Sequence, residues 1–326
     1  MSLQIITLSP RQPLSILSTI RKHRVLATIL LLMVFPWLIP HHSVAINMLI
    51  FGLYALGFNL VFGYMGMLSF GHAAFLGVGA YTAGILIAQH QVAWWLAIPA
   101  AVLVSTFVAW AMGILAIRTR GIYFAMVTLA LSQCVYFLIY QFPPSGGENG
   151  LRGVNVSEVN LFGFNFDMLN PLTKYYFFLG FVALALWFIS RLLASPFGAV
   201  IQAIRENESR TRACGFNVER TKLITFILSG AFCGLAGALY AIHLSSVAIE
   251  TLHYETSGLV VMIALLGGMG TFFGPLVGAG LFLFIQDMFS IWTEHWQLYV
   301  GIIFMFFVLF FPKGIWGTIL EKLHVD

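Results

Sequence analysis

The chain has 326 residues, of which 60% are hydrophobic and only 28 are charged, 16 Lys or Arg and 12 Asp or Glu; an ordinary soluble domain is about a quarter charged. A water-soluble globular domain is excluded because it lacks the charge to cover its surface, and a disordered chain because it is far too apolar. The net charge of +4 comes from bases scattered between apolar runs, which makes no nucleic-acid surface, and Cys134, Cys214 and Cys233 form no CxxC pair or Cys/His cluster that would indicate a metal or disulfide framework.

A spanning helix needs about 20 predominantly apolar residues. Such runs predict an all-α polytopic membrane protein with about ten spans, over 25–40, 44–62, 67–88, 94–117, 122–140, 175–193, 223–244, 258–268, 274–289 and 298–311. The first run follows basic residues as a signal peptide would. No small-residue cleavage site follows Pro40, so it reads as a retained span. The pair at 258–268 and 274–289 is short and glycine-rich, consistent with two short helices, one broken helix or a re-entrant pair.

Alternating the connections between two sides, with the N-terminus inside, places 14 of the 16 Lys and Arg on one side and leaves only Arg152 and Lys174 on the other. Basic residues accumulate on the cytoplasmic face, so both termini are expected there. The organisation is then a cytoplasmic segment 1–24, a membrane domain 25–312 and a cytoplasmic tail 313–326, with an outer loop at 141–173 and an inner loop at 195–221.

Within the third span, Ser69, Ala73, Gly77, Ala80 and Gly84 form one small-residue stripe, and Gly230, Gly234, Gly237 and Ala241 form another in the seventh. Close helix packing is the plainer use of both. His72 is different in kind. An ionisable group at this depth needs a partner or water, so it is either a functional side chain or an imidazole hydrogen-bonded to a neighbouring helix. The outer loop opens with Pro143-Pro144-Ser145-Gly146-Gly147, a turn signal that fits a partner surface, a cap over a pathway or an inert connection. In the inner loop, Ser195-Pro196 predicts a helix start with a capping hydroxyl, and Gly215 a stop. Between them Phe197, Val200, Ile201 and Ile204 fall on one face, a pattern that serves either the lipid surface or a groove on another protein.

No Asp or Glu lies mid-span, which argues against proton coupling within the chain, and no GxxxxGK[ST], HExxH or GxSxG string is present. A pathway with so few charges suits a neutral, zwitterionic or partly apolar substrate.

Four blocks in order carry a family resemblance: 55–63 (ALGFNLVFG) running into 68–75 (LSFGHAAF), 146–151 (GGENGL), 195–198 with 203–208 (SPFG and AIRENE), and 267–275 (GGMGTFFGP). The sequence resembles the inner-membrane permeases of branched-chain amino acid ABC importers, of the LivM type, over nearly all of the chain from about Asn47. The resemblance implies the ABC importer permease architecture, with alternating access driven by partners. These would be a second homologous permease of the LivH type, two cytoplasmic ATP-binding subunits that hold ATP and Mg, and a periplasmic binding protein. No cofactor is expected on this chain and no enzymatic activity. The resemblance also implies that the loop from Ser195 to Lys222 docks the ATPase, through Phe197, Ile201, Ile204, Arg205, Glu206, Glu208 and Gly215, although 209–212 (SRTR) departs from the small residues of the family motif. Asn59, Ser69, Gly71, His72, Gly77, Gly267, Gly268, Gly270 and Gly274 become candidates for the pathway or a helix interface. Related permeases carry urea, short amides or organic acids, and an autonomous ion-coupled carrier is the alternative of another class.

Overall fold

The structure is a computed structural model that describes residues 24–38, 42–156, 158–161, 164–293, 295–311 and 314–322. It is a helical bundle. The helices are α1 (Arg24–Leu38), α2 (His42–Asn59), α3 (His72–Ala88), α4 (Trp94–Ala116), α5 (Ile122–Gln141), α6 (Pro171–Ala194), α7 (Pro196–Glu206), α8 (Glu208–Ala213), α9 (Val218–Leu244), α10 (Tyr254–Gly267), α11 (Gly274–Trp292), α12 (Trp296–Phe310) and α13 (Gly314–Lys322). Among the described residues seven helical segments are long and apolar enough to cross a bilayer, and α1, α3 and α10 are shorter apolar helices. Together they correspond to the ten predicted spans. Residues 1–23 of the predicted N-terminal segment lie outside the described residues, and the predicted tail contains α13.

Contacts between distant segments define two ends. At one, the α4–α5 turn meets α8 and the start of α9 through Arg120, Glu208 and Lys222, and Arg205 of α7 meets Gly63 beyond α2. At the other, β1 (Leu151–Arg152) pairs antiparallel with β4 (Ser246–Val247), Lys174 donates to the His243 carbonyl, and Gln89 donates to Pro144 O. The first end carries the basic clusters of the loops. The second carries Arg152 and Lys174, the two bases that charge counting set apart. A further hairpin, β2 (Glu158–Leu161) with β3 (Phe164–Asp167), lies in the outer loop; neither small sheet is visible to hydropathy.

Helix α9 sits at the centre, against α2, α3 and α4. Small residues let it: a Cβ at Gly237 would overlap the Leu76 carbonyl, and one at Gly79 would overlap the Gly234 backbone. The two sequence stripes are used differently from a simple pairing. Gly77 faces Leu252 and Gly84 faces Leu151, so the α3 stripe receives the connections that follow α5 and α9, while Gly230 and Gly234 face Ala109 and Ser105 of α4. Close approach to α9 is made at Leu76, Gly79 and the stripe's own Ala80.

The third span departs from its predicted start. Residues 60–64 form a single π turn (Leu60–Tyr64) that extends α2, residues 65–71 are not helical, and α3 begins only at His72. Hydropathy runs through this stretch, but side chains claim its backbone groups: Phe70 N donates to Thr128 Oγ1 (3.1 Å), Gly71 N to Ser69 Oγ (3.2 Å), and Ala73 N to Ser257 Oγ (2.8 Å). Non-helical backbone packed among apolar helices is tolerated where the protein satisfies its polar groups in this way. A second break, 268–273, separates α10 from α11 and corresponds to the glycine-rich region read as short or broken.

Candidate coupling and translocation site

The inner loop folds as two helices rather than one. Pro196 takes the first helical position of α7 as expected, but the Ser195 hydroxyl does not cap it; it turns back to the Leu192 carbonyl (2.6 Å). With one residue between α6 and α7, the end of α6 has carbonyls to satisfy and takes the donor. Asn207 then breaks the helix and caps α8, accepting from Arg210 N (2.9 Å). Gly215 adopts φ +89° with open space around it, the left-handed conformation that closes a helix.

The predicted apolar face of α7 exists, and it is directed into this chain. Ile201 and Ile204 are 0% and 5% exposed, and Phe197 packs against the same core. Polar side chains exposed on the loop include Gln202, Glu206, Ser209 and Arg210, and Phe216 is exposed beside them. Glu208 gathers charge: Lys222 Nζ at 2.8 Å, Arg120 Nη2 at 3.2 Å and Arg212 Nη2 at 3.2 Å. Partial burial raises its pKa, but the hydrogen bond and charge of Lys222 with the charges of Arg120 and Arg212 outweigh this and hold the carboxyl below its ordinary value. A cavity of about 590 Å³ opens here, walled by Met65, Leu68 and Ile122 and bordered by Arg120, Arg205 and Lys222.

Arg205 reaches from α7 to the Gly63 carbonyl of the π turn. Asn59, buried at the end of α2, accepts from Gly270 N (3.1 Å) and donates to Thr271 O (3.0 Å). Thr271 in turn accepts from Gly274 N (3.0 Å) and donates to Gly268 O (2.9 Å). A Cβ at Gly267 would overlap the Gly274 backbone. The structure therefore brings Asn59, Gly267, Gly268, Gly270, Gly274 and Arg205 to one place, the basic end where both breaks meet.

Ser69 and His72 stand apart from this cluster, at the end of the first break and the start of α3. The His72 ring is fully buried between Phe58, Phe75 and Phe226, with ring centroids 4.9, 5.3 and 5.9 Å away. Nε2 is 2.8 Å from Ser229 Oγ, whose hydroxyl donates to Gly57 O (2.6 Å). Ser229 must therefore accept, which assigns the ring proton to Nε2 and leaves Nδ1 to accept from Ser69 Oγ (3.1 Å). Both ring nitrogens are satisfied within the chain, so His72 ties the first break to α2 and α9. Gly71 lets the break approach Thr128 of α5, and Gly77 receives Leu252. Sequence reasoning missed Gly63, Thr271, Ser229 and Ser257; each acts through a partner at least 150 positions away or through a backbone group, and no local pattern signals that. Among the described residues no group of three or more His, Cys, Asp or Glu stands together for a metal.

Residues 42–311 match the family described as branched-chain amino acid transport system, permease component. The chain belongs to this permease family. It is 30% identical over 321 residues to the high-affinity branched-chain amino acid transport system permease protein LivM of Salmonella typhimurium, covering 91% of this chain and 76% of the relative. The Escherichia coli K12 LivM protein matches to the same extent. It is 23% identical over 289 residues to the LivH permease of Escherichia coli K12, covering 82% of this chain and 91% of the relative. No solved structure matches the chain. The family and the apolar helices together make this a multi-pass membrane permease.

Proposed function

We propose that this permease is the LivM-type membrane subunit of an ATP-driven importer for leucine, isoleucine and valine in a bacterial inner membrane, with both termini cytoplasmic. It pairs with a LivH-type permease, two cytoplasmic ATP-binding subunits and a periplasmic binding protein, and works by alternating access. ATP and Mg belong to the partner subunits, and this chain is no enzyme. The observation that carries the reading is the likeness to LivM along 91% of the chain. The geometry supports it, because α7 and α8 form a loop that is polar outside and anchored to both broken spans inside. With Ile201 and Ile204 buried, the ATPase-facing surface is assigned to Gln202, Glu206, Arg210 and Phe216.

An autonomous ion-coupled carrier usually places its broken helices at the bilayer midplane. Here both breaks lie at the basic end, so that alternative gains no support; a permease for urea, short amides or organic acids remains the runner-up in substrate. The test is purification of the tagged chain from native membranes in mild detergent. Two ATP-binding subunits and a second permease should arrive with it, and leucine with its binding protein should stimulate ATP hydrolysis in the reconstituted complex. A folded chain that arrives alone after crosslinking, or stimulation by urea and not leucine, would refute the corresponding half of the proposal.

A further inference from the structure

Arg205 is exposed on α7, where a docking contact would stand, yet its guanidinium turns inward to the Gly63 carbonyl. That acceptor is open because the helix ends here. The amides of Gly66 and Met67 fold back to Phe62 O (3.1 Å) and Val61 O (3.0 Å), so the Gly63 carbonyl points out of the helix. Two left-handed glycines, one in each break, lie under the arginine. A Cβ at Gly66 (φ +77°) would come within 3.1 Å of Arg205 Cγ, and one at Gly270 (φ +72°) within 2.7 Å of Arg205 Nη1 and 3.0 Å of Gly63 O. The α7 helix, the end of α2 and the break before α11 thus converge on one guanidinium, and the Asn59 amide locks the second break to α2 with a bond in each direction.

We propose that Arg205 is a positioning residue that transmits movement of the α7–α8 loop to the two broken spans, through Gly63 and then Asn59, and is not a contact for the ATPase. This rests on the function proposed above and names the physical route by which it operates. A bond between two discrete backbone segments is the kind of link that can hold alternative arrangements of the same helices, which coupling requires. Lysine keeps the charge but not the shape and reach of the guanidinium, so it separates a contact that needs only charge from one that must reach the Gly63 carbonyl past two glycines.

The experiment uses the whole complex in proteoliposomes with the binding protein and leucine, comparing the native chain with Arg205→Lys, Arg205→Ala, Asn59→Ala and the Arg205→Ala/Asn59→Ala double variant. Three quantities are read: copurified ATP-binding subunits, basal ATP hydrolysis, and leucine imported per ATP hydrolysed. The single variants should retain the first two and lose about ten-fold in the third, the scale of one hydrogen bond of Arg205 or of the two neutral bonds of Asn59 together. The double variant should be no worse than either, because both break one route. Loss of the ATP-binding subunits in Arg205→Ala, a native ratio in Arg205→Lys, or losses that multiply in the double variant would each overturn the inference. Should Arg205→Ala not fold, Arg205→Lys and Asn59→Ala decide it by the same ratio. A native chain that brings no ATP-binding subunits would instead overturn the function itself.

Discussion

Replacing Ser229 by alanine removes the acceptor of the His72 Nε2–H, 2.8 Å away, at a site walled by Phe58, Phe75 and Phe226. The His72 ring is fully buried, so the donor is left unsatisfied, at a cost of about 1–3 kcal/mol. Ser105→Ala is the internal control. Its hydroxyl donates to the carbonyls of Phe75 (3.0 Å) and Gly230 (2.9 Å), both of them inside helices, so its loss leaves no orphan donor. The average for such bonds in membrane proteins is about 0.6 kcal/mol. Ser229→Ala should therefore lower the apparent unfolding temperature in mild detergent by a few degrees, and Ser105→Ala by clearly less, measured as the fraction surviving size exclusion after heating. Transport per folded complex should stay within about two-fold of native for both, a difference of roughly 0.4 kcal/mol. An equally stable Ser229→Ala chain that no longer imports would refute this, and would return His72 to the pathway.

Three other outcomes follow from the same geometry. Gly237→Leu should abolish folded protein, because any side chain meets the Leu76 backbone, while Gly301→Ala, with nothing within 4 Å of its Cβ position, should be neutral in yield. Glu208→Gln should destabilise the α8–α9 junction by up to about 1.5–3 kcal/mol, the range for a hydrogen bond to a charged group. Since the folded carboxyl lies below its ordinary value of 4.5, the Glu208 contribution is complete above that value and fades as pH falls through the lowered one; the native and Glu208→Gln curves should converge there. Equal convergence on the alkaline side would refute the assignment. Finally, Cys134 and Cys214 are exposed, Cys214 at the basic end, and Cys233 is buried, so in a Cys134→Ser background a membrane-impermeant maleimide should label Cys214 in inverted vesicles and not in intact spheroplasts. The reverse pattern would invert the topology.

Spans were legible because burying some 20 residues in hydrocarbon needs nothing but apolar side chains, and the ends of α4, α5 and α6 fall within a few residues of the runs in the sequence. The start of α3 was not, since residues 67–71 are as apolar as a helix but are held open by Thr128, Ser69 and Ser257. Hydropathy measures transfer of side chains and says nothing about which hydroxyl takes a backbone amide. The α7 face was legible as buried, through the spacing of Ile201 and Ile204. What buries them was not, because periodicity gives the same pattern for a face turned to lipid, to a partner or to the chain's own core.

The same limit explains why the meeting of the two breaks was hidden. Arg205 and Gly63 are 142 positions apart, and Asn59 and Gly270 are 211 apart, so no local period can join them. Their residue types did carry a signal: an asparagine at the end of an apolar span, and glycines where a helix should continue, are costly in a bilayer unless their backbone and amide groups find partners. Asn59 and Gly270 meet that demand in each other, and the carbonyl left open at Gly63 where the helix ends calls for a donor long enough to reach it past Gly66. The inner loop supplies that donor in Arg205. A permease whose spans were all regular would offer this loop no such hold on its helices, so the irregular backbone and the placement of the loop arginine are best understood as parts of one device.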